Sequence, residues 1–281
     1  MRGRALVVWN VLKAWLLLIG GCGALAAIAW PLGGFRLVSL LVFFGLLIAG
    51  GAYWYADRVA LGMVRARELP LGEAPGLHAT LARLASLAGV AKPRLYLLPD
   101  GHPRALAAGR GSRGSAVAVS QGLLGAATPA ELEGILAHEL AHIRQRDVLV
   151  QTSVVVLAAA LIETSRIGGW LERGLLFVLG PIAAALVHLV LSPKREFEAD
   201  RVAASLCGSP HGLADALIRL EQASELVDFR ANPATEPLYT FNPFAEEGLA
   251  ALFVTHPPVG ERVQRLRRLD PDWLEKLRAV A

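Results

Sequence analysis

Thr128-Pro-Ala-Glu-Leu-Glu-Gly-Ile-Leu-Ala-His-Glu-Leu-Ala-His-Ile-Arg-Gln-Arg146 is the stretch on which the reading of this chain turns. Thr128 can cap a helix, Pro129 suits its first position, and Glu131 completes a Thr-x-x-Glu capping box. In a helix, His138 and His142 leave one face about a turn apart. Two imidazoles so placed can bind one tetrahedral zinc, and Glu139 beside them can take a proton from water. An ordinary amphipathic helix with two surface histidines is the competing account. With 7 His and 16 Glu in 281 residues, H-E-x-x-H is expected by chance roughly 0.01 times in a chain this long. The metal reading is the better one.

Zinc needs a further ligand, and Ser192-Pro-Lys-Arg-Glu-Phe-Glu-Ala-Asp200 offers one. If Pro193 starts a helix, Glu196 and Asp200 share a face, whereas Glu198 points roughly 200° away from Glu196. This predicts Glu196 as ligand, with Asp200 accepting a hydrogen bond from the outer nitrogen of a ligating histidine.

The chain is 54% hydrophobic with a mean hydropathy of +0.46, more apolar than an ordinary soluble domain. Its 28 basic and 24 acidic residues form no long basic run, so nucleic acid is not an expected partner. Cys22 and Cys207 lie far apart, imply no disulfide framework, and suit a reducing compartment. Four apolar stretches are candidates to cross a bilayer: Ala5 to Trp30, Leu37 to Ala56, Val148 to Ile162 and Leu175 to Leu191. A signal peptide is the rival for the first, but Lys13 inside the run and Pro31 after it argue against cleavage. The second ends in Tyr53-Trp54-Tyr55, side chains that favour a membrane interface. The last two are shorter than the roughly 20 residues of a full span, and a buried helical hairpin is their alternative. The third follows the metal helix without a turn signal, which suggests one continuous helix. Arg2 and Arg4 before the first pair, with Arg58, Arg65 and Arg67 after it, place the N-terminus and main domain in the cytoplasm.

Between the two hairpins the pattern becomes α/β. Leu77, Leu81, Leu84 and Leu87 give Pro75 to Ala88 the apolar stripe of a helix. Arg94 to Leu98 and Ser115 to Ser120 read as short strands. The latter could be an edge strand, with Ala116, Val117, Ala118 and Val119 offered to an extended peptide.

These motifs, in this order, resemble the HtpX-like integral-membrane zinc metalloendopeptidases, relatives of the CAAX prenyl protease. The resemblance rests on Glu131-Leu-Glu-Gly-Ile-Leu-Ala-His-Glu-Leu-Ala-His142 with Arg146-Asp147, on Arg195-Glu-Phe-Glu-Ala-Asp200, and on Thr255-His-Pro-Pro258 leading to Glu261-Arg262. It implies a mostly α fold with a small β-sheet, a gluzincin-like metalloprotease domain combined with transmembrane helices. Residues 1–57 would be an N-terminal transmembrane hairpin and 58–147 a cytoplasmic α/β part. Residues 148–192 would be a second apolar hairpin, and 193–281 a helical part supplying the third ligand. One zinc ion per chain would be held by His138, His142 and Glu196, with Glu139 catalytic. His256 and Arg262 would approach the cleft, His256 toward an oxyanion or the metal, Arg262 toward an acidic neighbour or the substrate. The implied protein is a multi-pass inner-membrane endopeptidase whose site faces the cytoplasm. Its partners would be the lipid bilayer and misfolded or unfolded polypeptides. One departure stands out: Arg104-Ala-Leu-Ala107 occupies the place of the family's Asn-Ala-Phe-Ala, which changes local substrate contacts. A zinc-binding membrane holdase without peptidase activity is the alternative.

The other histidines attract structural readings. His78 and His211 are expected at the surface, His102 in a loop, and His188 in a hydrogen-bonded role. The proline-rich tract 230–244 reads as a loop.

Overall fold

The computed structural model describes residues 57–111, 114–166, 172–190, 193–226 and 256–272, with scattered positions between 30 and 55. Most of the N-terminal hairpin and all of the 230–244 tract lie outside the described residues.

Among the described residues the sheet has four strands: β1 (Arg67–Glu68), β2 (Arg94–Leu98), β3 (Ala105–Gly109) and β4 (Ser115–Ser120), in the order β1-β2-β4-β3. β2 and β4 run parallel, while β1 and β3 pair antiparallel with their neighbours. The strand expected at the edge is therefore internal. Ala116, Val117, Ala118 and Val119 are paired on both sides, Val117 with Leu95 and Ala107, Val119 with Leu97 and Ala105. They cannot receive a peptide; the terminal strand beside them is β3. Ser115-Ala-Val-Ala-Val-Ser120 lacks polar alternation because both faces are covered, as in a sandwiched parallel strand. Val117 and Val119, with Leu95, Leu97, Ala105 and Ala107, join the main core. Ala116 and Ala118, with Leu98, Leu106 and Ala108, pack against Ala60, Leu61, Val64 and Val155 on the other face.

Helix α1 (Pro75–Ala88) covers the first face with Leu77, Leu81 and Leu84, while Leu87, the fourth residue of the expected stripe, is exposed. It ends at Gly89 in the left-handed conformation, which a residue without Cβ adopts at little cost. Beneath it runs α3 (Pro129–Gln145), entered from the short α2 (Gln121–Ala126). The capping box is made: Thr128 Oγ1 accepts from the Glu131 backbone, and the Glu131 carboxylate accepts from the Thr128 N–H. Arg219 also grips that carboxylate through Nε and Nη2. From Gly134 to Ile143 every residue of α3 is buried.

α3 does not continue into the next helix. Arg146 takes φ 58°, ψ 23°, a left-handed conformation unfavourable for a side-chain-bearing residue. The chain turns there, and α4 (Asp147–Arg166) starts afresh. α4 and α5 (Glu172–Val190) form a hairpin packed through Val150, Val154, Ala158, Ile162, Ala183, Ala184 and Val187. Among the described residues no helix is long and apolar enough to cross a membrane. α6 (Pro193–Cys207), α7 (His211–Leu226) and α8 (Val259–Arg267) close the main core around α3. His78, expected at the surface, is buried, with Nε2 2.9 Å from the Leu69 carbonyl. His188 is exposed, and His211 lies 3.2 Å from Asp270.

α7 reaches α3 at two glycines. A Cβ on Gly134 would lie 2.6 Å from the Leu213 backbone nitrogen, and one on Gly212 would lie 2.4 Å from the Ala130 carbonyl oxygen. Neither neighbour is a flexible side chain, so the helices would have to part. Gly134→Ala is expected to destabilise the fold by about 1–3 kcal/mol, the usual range for overpacking, despite alanine's better helix propensity. A melting temperature equal to or above that of the wild type would show that the crossing has slack.

Candidate metal centre

α3 presents His138 and His142 from one face, and α6 crosses it with Glu196 and Asp200. The two imidazoles stand edge to face with ring centroids 4.7 Å apart. Their Nε2 atoms are 3.1 Å from each other. Glu196 closes the triangle: Oε2 is 3.4 Å from His138 Nε2, and Oε1 is 3.6 Å from His142 Nε2. One ligand atom from each of the three residues lies within 4.8 Å of the others. The sequence-based choice between the two glutamates agrees with this placement. Glu198 faces away and pairs with the exposed Arg201.

The outer nitrogens are also placed. His138 Nδ1 is 3.0 Å from Asp200 Oδ1, and Asp200 in turn accepts from Arg262 Nε at 2.9 Å and Nη2 at 2.7 Å. This is the bidentate grip a guanidinium gives a carboxylate. Arg262, wholly buried, thus orients an acidic neighbour. His142 Nδ1 is 3.4 Å from Asp147 Oδ2, whose other partner is Arg195 Nε at 3.1 Å. The sequence motif that contains Asp147 gives it no role of its own. Its approach depends on the left-handed turn at Arg146, which a helical period cannot reveal. His256 reaches the same centre, Nε2 3.6 Å from Glu196 Oε2.

Do these residues suit a zinc ion? A neutral histidine whose Nδ1–H is given to a carboxylate keeps the Nε2 lone pair free, and both lone pairs here point inward. Glu196 Oε2 is buried without a hydrogen-bond partner, with Arg262 Nη1 3.9 Å away, and a cation closer to it would lower the cost of burying that carboxylate oxygen. Burial opposes charge on His142, yet the Glu196 and Asp147 carboxylates lift its pKa to about 10. The spot thus favours positive charge. Burial likewise works against the Asp200 carboxylate, but Arg262 holds its pKa down to about 2. Its contribution to stability is therefore present above about pH 4 and lost only as pH falls toward 2. Two nitrogens and a carboxylate make a catalytic zinc donor set with room for a fourth ligand. The residues fit. Glu139 is buried beside them, near enough for its charge to raise the pKa of Arg262 after Asp200 and Glu196 have done so.

Comparisons with known proteins give the family. Residues 72–270 match the model of peptidase family M48. A protease HtpX homolog of Pelotomaculum thermopropionicum is 39% identical over 278 residues, covering 92% of this chain and 99% of that protein. One from Thermococcus sibiricus is 39% identical over 267 residues, covering 88% and 91%. Among solved structures, the Ste24p of S. mikatae aligns with a TM-score of 0.48 at 18% identity. That alignment covers 93% of this chain and 66% of Ste24p.

The arrangement sets three carboxylates apart. Glu196→Ala should remove a ligand and leave the purified protein with little zinc. Asp200→Ala should weaken zinc binding by about 10–100-fold, the ordinary effect of losing an outer partner. Glu198→Ala should bind zinc as the wild type does. Competition with a chromogenic chelator measures all three, and zinc loss confined to the Glu198 variant would refute the assignment.

Proposed function

The chain belongs to peptidase family M48 and is a metalloendopeptidase, and from that premise we propose that it is a membrane-anchored, zinc-dependent protease of misfolded or unfolded membrane and cytoplasmic proteins. The observation that carries the reading is the buried His138–His142–Glu196 group, its two inner nitrogens turned toward each other and toward Glu196 and its outer ones anchored to carboxylates.

A zinc ion held there supplies a Lewis acid that polarises the scissile carbonyl and acidifies water. Glu139, one residue along α3 from His138, takes the proton of the attacking water and returns it to the leaving amine. Burial of this carboxylate keeps it away from competing solvent. His256 stands where a developing oxyanion could be met by its imidazole. Asp200 and Arg262 keep His138 from rotating out of place. An extended substrate would pair with β3, the strand that ends the sheet next to β4. There the guanidinium of Arg104 is drawn to Asp100, so the residue standing in place of the family's Asn serves the loop before the strand.

Membrane anchoring is supported by the apolar stretches and by what the described positions expose. Trp30, Phe35, Phe43, Leu47 and Trp54 are each more than 60% exposed, as is Phe177 on α5. Large apolar side chains exposed in such number suit lipid better than water. Arg58, Arg65 and Arg67, following the N-terminal hairpin, support a cytoplasmic active site.

Two measurements test the proposal. Glu139→Gln should keep its zinc and fold while cleavage of an unfolded protein in detergent falls by about 10²–10⁴-fold, the contribution of a general base. A variant that cuts as fast as wild type would end the mechanism. For orientation, a cysteine at Gly33 should react with an impermeant thiol reagent outside the cell, and one at Gly101 should not. Labelling of Gly101 from outside would place the site on the far face.

A further inference from the structure

Both imidazoles of the centre are backed by a carboxylate and an arginine, but the two sets come from different places. Asp200 and Arg262 belong to α6 and α8, inside the main core. Asp147 is the first residue of α4, and Arg195 lies in the first turn of α6, just beyond the end of α5. Nearly fifty residues of chain, including the whole α4–α5 hairpin, separate them, yet their side chains meet at 3.1 Å. Asp147 is 1% exposed in its side chain and Arg195 12%. The pair therefore joins the entry and exit of the hairpin at its root. The carboxylate that makes this join is also the one 3.4 Å from His142 Nδ1.

We propose that Asp147 and Arg195 form a clasp that holds the His142 imidazole in register, so that the spacing of the two ends of the α4–α5 hairpin is felt at the metal centre. Two observations support it. The left-handed Arg146 spends conformational energy to bring Asp147 back toward the helix it has just left. Asp147 has no helical route to His142, being five residues on and past the break. The clasp is longer than its counterpart: Arg195 Nε stands 3.1 Å from Asp147 against 2.9 and 2.7 Å for the bonds of Arg262 to Asp200, and 3.4 Å stands against 3.0 Å at the imidazole. His138 is thus fixed by the core and His142 by the hairpin. A displacement of the hairpin, as by a changed bilayer or an arriving substrate, would act on one ligand and spare the other.

Asp147 and Arg195 are positioning residues, and the inference rests on His142 being a zinc ligand. The full-length protein in detergent, loaded with zinc, is treated with excess chelator and the rate of zinc loss is measured. Asp147→Ala should speed loss by about 10–100-fold, and Arg195→Ala by a smaller factor. The double variant should lose zinc no faster than Asp147→Ala, because Arg195 acts through Asp147. Arg195→Lys should restore part of the retention, since a point charge replaces the guanidinium less well. With cobalt in place of zinc, the visible spectrum of Asp147→Ala should shift, while Leu220→Ala, a core cavity on α7, should lower the melting temperature and leave the spectrum alone. Retention equal to wild type in Asp147→Ala, or effects that multiply in the double variant, would overturn the clasp while leaving the zinc site intact. A wild-type protein that holds no zinc would overturn the underlying assignment and the clasp with it.

Discussion

Placing ionisable groups together out of water is the constraint to which this fold answers. His138, Glu139, His142, Asp147, Glu196, Asp200 and Arg262 are all nearly or wholly buried. Each would cost several kcal/mol if left alone in an apolar interior. The structure meets that cost by pairing. Every outer nitrogen of the two histidines finds a carboxylate, and each of those carboxylates finds an arginine. α3, buried all round through its middle, is the rigid carrier for three of these side chains, and α6 supplies two more from across the crossing. The close approach at Gly134 and Gly212 lets α7 pack backbone to backbone against the first half of α3, which holds the carrier in place.

Parts of the site that depend on helical period were legible from the sequence. His138 with His142, and Glu196 with Asp200, are four-residue spacings whose geometry is local, and a capping box announced where α3 begins. The rejection of Glu198 followed from the same arithmetic. What a period cannot show is a meeting between distant segments. Asp147 reaches His142 through one left-handed residue that is not glycine, so no sequence signal marks the turn. A continuous helix was the natural reading, and Arg146 breaks it.

The sheet shows the same limit. Arg94–Leu98 and Ser115–Ser120 read as strands in the sequence, but their place in the sheet does not, because pairing order is decided by contacts remote in sequence. The run Ala-Val-Ala-Val looks alike at an edge or in the middle. Its small side chains make sense only when the layers on both faces are known: α1 and α3 on one, residues 60–64 and Val155 of α4 on the other. Tertiary covering also explains His78, whose ring finds the Leu69 carbonyl under the sheet's first strand.

Charge gives the last constraint on what the centre can hold. Glu139, Asp147, Glu196 and Asp200 carry four negative charges when ionised, and Arg195 and Arg262 return two positive ones. With both histidines neutral, the state in which imidazole binds a metal, the cluster is left two charges negative. A monovalent cation would leave it unbalanced in a medium where imbalance is expensive. A divalent ion with an affinity for imidazole nitrogen balances it, and zinc is the ion whose coordination the three donors suit. The two arginines are then as much a part of the metal's selection as its ligands. Without them the same donors would face a surplus of four negative charges, and protonation of the histidines would compete with the metal for the site.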